Sequence, residues 1–333
     1  MRAAILDAYG PPENLTVREV DPPALASPTA VRIAIHASSI NPIDWKIRAG
    51  LQRGAVRYTL PRALGMDLSG VITEIGPSVT GFQVGDAVYA SPAHTAPGCY
   101  AEETVVEASE IARKPTNLTH VEAATLPLVG LTAWQCLLPK LAEAPGQRVF
   151  VMAGSGGVGS FAIQLAKHHG AWVATTCSAR NAELVRSLGA DAVIDYTTTK
   201  FEDELSDLDL VLDTMGYEHT ERALPLVKRG GRLSSVVSGL PTNTERYGPN
   251  LGVLATGLHI ANLRVRGWMR GITAATVVKR PLGSDLLQIT ELVEQGVLKP
   301  VVDRVFPLDA IAEAHAYGET GRIRGKVAIA IRD

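Results

Sequence analysis

Cysteine is scarce in this chain of 333 residues. The three present, Cys99, Cys136 and Cys177, stand far apart with no Cys-x-x-Cys pair, so neither a disulfide framework nor a zinc ribbon is expected. A reducing cytoplasm is the compartment such usage suggests. Aromatic residues make up 5% and charged residues 20%, with a formal net charge of −2. Lys and Arg are scattered, without the dense basic track used on phosphate backbones, so nucleic acid is not an expected partner. Long hydrophobic runs are missing as well: no uninterrupted apolar stretch approaches the roughly 20 residues that span a bilayer. Met1 to Leu6 is followed at once by Asp7 and Pro11-Pro12, which leaves no room for a signal-peptide apolar region. No membrane partner is expected.

Glycine, in contrast, is frequent, with 31 copies. Its most informative cluster follows the apolar run Val149 to Ala153 and reads Gly154-Ser155-Gly156-Gly157-Val158-Gly159. A strand leading into Gly-x-Gly-x-x-Gly and then a helix is the turn that cradles a dinucleotide. The first glycine permits the tight turn, the second lets backbone N–H groups approach a pyrophosphate, and the third lets helix and strand pack closely. Phe161, Ala162, Leu165 and Ala166 continue on one helical face, so the required switch from strand to helix is present. About 20 residues further on, an Asp or Glu would bind the ribose of NAD. That place reads Thr176-Cys177-Ser178-Ala179-Arg180-Asn181. A missing acid together with Ser178 and Arg180 suits the 2′-phosphate of NADP, and Tyr196, closing the next strand, is a further candidate beside the adenosine.

The chain is long enough for two domains. Its first third reads as short strands broken by turns, including Ala30–Ile35 and Val71–Ile75. From about Ala123 strands and helices alternate. The apolar runs at 149–153, 172–177, 192–194, 208–212 and 233–237 are nearly unalternated, as parallel strands covered on both faces should be. Segments 182–188 and 218–228 between them read as helices. Thr242 to Pro249 reads as an exposed loop. Past Arg270 one amphipathic helix with Leu286, Leu287, Leu292 and Val293 leads to a last strand, Lys326–Ile331. The expected division is 1–122 and 271–333 for one domain and 123–270 for a doubly wound α/β nucleotide-binding domain.

With these residues placed, the chain resembles the medium-chain dehydrogenase/reductase superfamily, in its zinc-free quinone oxidoreductase and enone reductase branch. Asn41-Pro42-Ile43-Asp44-Trp45-Lys46, Gly65-Met66-Asp67-Leu68-Ser69-Gly70, Gly98-Cys99-Tyr100-Ala101-Glu102, Gly130-Leu131-Thr132-Ala133-Trp134, the glycine turn, Leu188-Gly189-Ala190-Asp191 and Arg324-Gly325-Lys326-Val327 carry the likeness. The resemblance implies a Rossmann doubly wound parallel sheet inserted into a chaperonin-10-like β-barrel catalytic domain. Zinc-dependent members place a Cys at Asn41, a Gly-His-Glu at Gly65-Met66-Asp67 and a Cys or acid near Leu128. These side chains do not suit catalytic zinc, so no metal is expected.

Without a Lewis acid, the expected chemistry is hydride transfer from NADPH to a quinone or to the β-carbon of an enone or enal. The resemblance sets Asn41, Asp44 and Lys46 by the nicotinamide as oxyanion donors and proton relay. It adds Thr132, Val237, Ser238, Arg324, Gly325 and Lys326 as cofactor contacts. It also implies a homodimer, with Leu263 to Trp268 as a strand pairing edge to edge. Two alternatives stay open: an enoyl reductase acting on acyl thioesters, and a non-catalytic NADPH-binding sensor or RNA-binding accessory protein.

Overall fold

A computed structural model describes residues 1–25, 27–56, 58–143 and 145–332. The chain forms two compact units, Met1–Leu131 with Arg280–Asp333, and Thr132–Lys279.

The first unit opens with β1 (Arg2–Leu6), β2 (Leu15–Glu19) and β3 (Ala30–Ile40), then helix α1 (Pro42–Arg48). Strands β4 (Arg62–Ala63), β5 (Leu68–Ile75), β6 (Ala87–Ala90), β7 (Glu103–Glu107) and β8 (Ile111–Arg113) follow, and then helix α2 (His120–Ala123). β3 alternates enough to bury Val31, Ile33 and Ile35 on one side, where they pack with Leu68, Ile72 and Val88, as period-2 side chains require. Helix α3 (Pro127–Leu141) carries the chain into the second unit.

There the grammar is strand and helix in turn: β9 (Arg148–Val151), α4 (Gly157–His168), β10 (Trp172–Cys177), α5 (Ala182–Ser187), β11 (Ala192–Asp195), α6 (Phe201–Glu204), β12 (Leu208–Asp213), α7 (Glu218–Ala223), β13 (Val227–Ser235), α8 (Leu240–Arg270) and β14 (Thr273–Thr276). The six strands order as β11-β10-β9-β12-β13-β14, every pairing parallel. This is the doubly wound order, which reverses direction beside the first strand and opens a crevice at the carboxyl ends. Phe150, Val211 and Leu233 are completely buried, because helices covering both faces leave no wet side.

The chain returns to the first unit through α9 (Gly283–Glu294), β15 (Val302–Pro307), α10 (Ile311–Glu319) and β16 (Lys326–Ala330). β16 pairs antiparallel with β3, setting Val327 opposite Ile40. That register brings Lys326 beside the end of β3, and the candidate site depends on it.

Four expectations need correction. Residues 242–249 and 263–268, read as a loop and a strand, both lie in α8, two helical stretches joined across a kink at Gly248 (φ 78, ψ 170). Leu263, Val265 and Gly267 alternate with arginines like a strand. The longer pattern wins: Gly252, Thr256, Leu263 and Gly267 are the buried positions of one helical face, and left-handed Gly271 caps the end. The helix read over 218–228 stops at Ala223, a single 3-10 turn carries Leu224-Pro225-Leu226, and strand begins at Val227; proline in the helix interior would remove a hydrogen bond. Lastly, β14 pairs with β13, so the sheet takes the chain past residue 270, and the units divide at 131/132 and 279/280.

Candidate active site

In the first unit, the end of β3 runs into α1 through Asn41, whose extended backbone (φ −128, ψ 153) makes it the N-cap, with Pro42 in the first turn. The Asn41 N–H donates to Asp44 Oδ2 at 2.8 Å, the reciprocal half of a capping box. Tyr100 donates its hydroxyl to the same oxygen at 2.9 Å, and Asn41 Nδ2 lies 3.4 Å from it. Asp44 Oδ1, also buried, has no hydrogen-bond partner.

Asp67 forms the other half of the cluster. Its Oδ2 accepts from Ser39 Oγ at 2.7 Å and from Asn41 Nδ2 at 2.8 Å, and its Oδ1 accepts from the Leu128 N–H at 2.8 Å. Lys326 Nζ donates to the Ile40 carbonyl at 2.7 Å, to Asn41 Oδ1, and to Asp67 Oδ2 at 3.4 Å. All four of Asn41, Asp44, Asp67 and Lys326 are buried.

Burial governs the electrostatics. It pushes the Asp44 carboxyl up to about 7, against the opposing Asn41 and Tyr100 hydrogen bonds and Lys326 charge. Burial also pushes the Tyr100 hydroxyl well above its ordinary range, with the Asp44 charge adding to it. It lowers Lys326 despite Asp67 and Asp44.

Asp44 also borders a small, partly open pocket within this unit, lined among others by Tyr58, Arg62, Met66, His94 and Cys99. Arg62 lies over the Tyr58 ring at 4.2 Å and donates to the Ala96 carbonyl at 2.7 Å.

Of the residues the sequence singled out here, Asn41 and Asp44 come together and Lys46 does not join their hydrogen bonds. Lys46 stands half-buried on α1, its amine lowered by desolvation. The cation of the cluster is Lys326. Asp67 and Tyr100 went unnamed as site residues, although both sit in segments that carried the family likeness. Arg324 is exposed. Gly325 has φ +75, and a Cβ there would meet the Val301 carbonyl at 2.1 Å, so it makes the turn that delivers Lys326.

In the second unit the glycine turn follows β9. A Cβ on Gly154 would meet Thr175 Oγ1 at 2.1 Å, and one on Gly159 the Ala153 carbonyl at 2.3 Å. Gly156 differs: its nearest neighbour would be the Ala153 carbonyl at 3.4 Å, so the protein itself barely restricts a side chain there. Open space in front of an uncapped helix N-terminus is what a pyrophosphate needs. Ala153 takes a positive φ of 51°, and its N–H donates to Thr176 Oγ1 at 3.1 Å.

Ser155 accepts from Asn181 Nδ2 at 3.0 Å, and buried Asn181 Oδ1 has no partner. Asn181 closes the 3-10 turn Ala179–Asn181 that Ser178 starts and Arg180 occupies. It was missed, being only the last residue of the segment searched for an acid. The partners present thus fit a nicotinamide dinucleotide. Tyr196 is 64% exposed, and Thr132 is buried in α3. Beyond β13 the Val237 N–H donates to Ser235 Oγ, and Ser238 Oγ accepts from the Leu240 N–H, both at 3.3 Å.

Among the described residues no group of three or more His, Cys, Asp or Glu is placed to hold a metal ion. Cys99, Cys136 and Cys177 are buried free thiols.

Comparison with known proteins agrees with both halves. Residues 27–116 match the alcohol dehydrogenase GroES-like domain, and residues 188–329 match the zinc-binding dehydrogenase family. NAD(P)H oxidoreductase RTN4IP1, mitochondrial, from Mus musculus is 36% identical over 351 residues, covering 99% of this chain and 89% of the relative. A 2-methylene-furan-3-one reductase from Solanum lycopersicum is 37% identical, covering 90% and 71%. The structure of the quinone oxidoreductase from Coxiella burnetii superposes with a TM-score of 0.87 at 30% identity, covering 100% and 99%.

The mitochondrial names of the mouse relative and its Bos taurus and Homo sapiens counterparts overturn the cytoplasmic expectation. Buried free thiols are at home in any reducing compartment and do not choose among them. Fold, cofactor turn and relatives converge: the chain belongs to the medium-chain dehydrogenase/reductase family, among the NAD(P)H oxidoreductases of the quinone and enone reductase type.

Proposed function

We propose that the protein is a zinc-independent, NADPH-preferring reductase of quinones or of α,β-unsaturated carbonyl compounds. The observation that carries this reading is the Lys326 ammonium, held by Ile40, Asn41 and Asp67 at the polar centre of the first unit. A divalent ion there would face the Lys326 ammonium, and the Asp67 carboxylate beside it is already taken up by Ser39, Asn41, the Leu128 N–H and Lys326, in place of the free N, S or O donor set of catalytic zinc. The donor set does not fit that metal. With no Lewis acid to acidify an alcohol, the favoured acceptor is one already electrophilic.

When bound, NADPH supplies the hydride. Gly154 to Gly159 and Ser155, steadied by Asn181, hold the pyrophosphate, and Ser178 and Arg180 take the 2′-phosphate by charge-assisted hydrogen bonds. Asn41 is fixed at both ends, by Asp67 and Lys326, so its orientation costs nothing at the moment of reaction. Asp44 receives its hydrogen bonds on Oδ2, so its proton resides on Oδ1, the unpaired oxygen. It gives that proton to the reduced acceptor and recovers one from water.

The test follows nicotinamide oxidation by chelator-treated protein, comparing NADPH with NADH against a simple quinone and a 2-alkenal. Undiminished, NADPH-preferring turnover supports the reading. Loss on chelation, or tight NADPH binding without turnover of either acceptor, overturns it.

A further inference from the structure

Arg62 carries a charge that no carboxylate answers. It lies half-buried on β4, where Nε donates to the Ala63 carbonyl at 3.3 Å and Nη2 to the Ala96 carbonyl at 2.7 Å. Among the described residues these bonds leave the Nη1 donors unused. Burial lowers the guanidinium, and the ionisable groups acting on it are the Tyr58 and Tyr9 hydroxyls, with no Asp or Glu beside them. Other partly or fully buried arginines differ in this respect: Arg48 meets Glu319, Arg222 meets Glu202 and Arg32 meets Glu74.

A buried lysine or carboxyl can shed its charge, but a guanidinium keeps its proton. Its desolvation is therefore relieved by an anion, and the planar fork suits a carboxylate. The protein supplies none, so the space in front of Arg62 decides what does. That space is the pocket that Arg62 shares with Asp44, Tyr58, Met66 and His94. Asp44 is the acid in its lining, and buried Asp44 Oδ1 has no hydrogen-bond partner. Tyr58 is close enough to feel both the Arg62 and the Asp44 charges, whereas Asp44 is not among the groups acting on Arg62. The pocket thus presents a fixed cation and, apart from it, a carboxyl that the hydrogen bonds on Oδ2 leave protonated on Oδ1.

We propose that Arg62 selects the acceptor, and that the preferred substrates are compact α,β-unsaturated ketones or aldehydes that also carry a carboxylate. This inference rests on the reductase reading above and names the substrate class of the same site. Arg62 holds the carboxylate while the C=C accepts one hydride and one proton. The carbon β to the ketone gains the hydride whose loss oxidises NADPH to NADP⁺, and the α-carbon gains the Asp44 proton. The carboxylate itself leaves unchanged.

The experiment compares 4-oxo-2-pentenoate with its methyl ester, which has the same reacting skeleton without the charge, in the wild type, Arg62→Gln and Arg62→Lys. Comparing the acid-to-ester ratio of kcat/KM between proteins cancels the different intrinsic reactivities of the two acceptors. Arg62→Gln keeps an N–H donor for the Ala96 carbonyl and loses the charge, so the ratio should fall about 10–100-fold, chiefly through KM of the acid. Arg62→Lys keeps the charge without the fork and should recover part of the ratio. Titration calorimetry with the saturated 4-oxopentanoate, which cannot be reduced at the missing double bond, reads the same contact without turnover: it should bind the wild type and bind Arg62→Gln about tenfold or more weakly.

Equal losses on acid and ester in Arg62→Gln would mean that the arginine only pins the Ala96 loop, and would overturn the proposal. So would 4-oxopentanoate failing to bind the wild type, or binding Arg62→Gln as tightly. Should neither acceptor be turned over, the reductase reading falls by itself, and the 4-oxopentanoate titration still decides whether Arg62 takes a carboxylate.

Discussion

Asn41 donates from Nδ2 to Asp67 Oδ2 at 2.8 Å while its Oδ1 accepts from the Lys326 ammonium. The amide is therefore held at both ends by groups of opposite charge, and removing either partner has a defined consequence. Lys326→Met leaves the buried Asp67 carboxylate without a countercharge, which costs about 3–5 kcal/mol. Urea unfolding should show this as a lowered midpoint, and adding Asp67→Asn should restore much of the loss through a favourable coupling in the double-mutant cycle.

This relationship was also the least legible part of the site. Lys326 lies 285 positions from Asn41, and only the antiparallel pairing of β16 with β3 brings them together. Lys46, on the same short helix as Asp44, looked like the natural cation because helix neighbours are visible in sequence and strand partners are not. The glycine turn is the opposite case, since its strand, turn and helix are contiguous and each glycine has a local reason. Parallel strands β9 to β13 were legible for the same cause, as short unalternated apolar runs. Helix α8 was not, because Gly248-Pro249 mimics a loop and the alternation of Leu263, Val265 and Gly267 with Arg264 and Arg266 mimics a strand.

Asp44 sets the pH dependence. Burial raises its carboxyl to about 7, so the acid form that donates a proton is present below that pH and lost above it. Turnover of a 2-alkenal should be flat below about pH 7 and fall about tenfold per pH unit above it. Asp44→Asn should remove that limb and lower kcat by about 10²–10⁴-fold, with NADPH binding intact. Stability carries the same sign. A native carboxyl raised above its unfolded value keeps a proton that the unfolded chain releases, so unfolding free energy contributed by Asp44 declines as pH rises from 3.8 towards about 7.

Arg180 separates the two nicotinamide cofactors. A charge-assisted hydrogen bond is worth about 1.5–3 kcal/mol, so Arg180→Ala should raise KM for NADPH about 10–100-fold and leave KM for NADH nearly unchanged. Because Arg180 is exposed, the discrimination should narrow at high salt. Equal losses for both cofactors would place the arginine on the shared pyrophosphate instead.

The three motif glycines should fail in different ways. An alanine at Gly159 would put its Cβ 2.3 Å from the Ala153 carbonyl and 2.7 Å from Gly154 Cα, and one at Gly154 would sit 2.1 Å from Thr175 Oγ1 and 2.9 Å from Ile163 Cδ1. Backbone cannot yield to the first without separating α4 from the turn, so Gly159→Ala should lower the thermal midpoint even without cofactor. At Gly154 the obstacle is a side-chain hydroxyl that already donates to the Val151 carbonyl at 2.6 Å, and escaping the clash would break that bond. Gly156→Ala meets only a 3.4 Å contact, so the free protein should melt as the wild type does. The added methyl would instead stand in the space a pyrophosphate occupies, and NADPH titration should show affinity reduced tenfold or more, about 1.4 kcal/mol for each factor of ten. Unchanged affinity with a lowered midpoint would mean that Gly156, like its neighbours, serves the fold and not the ligand.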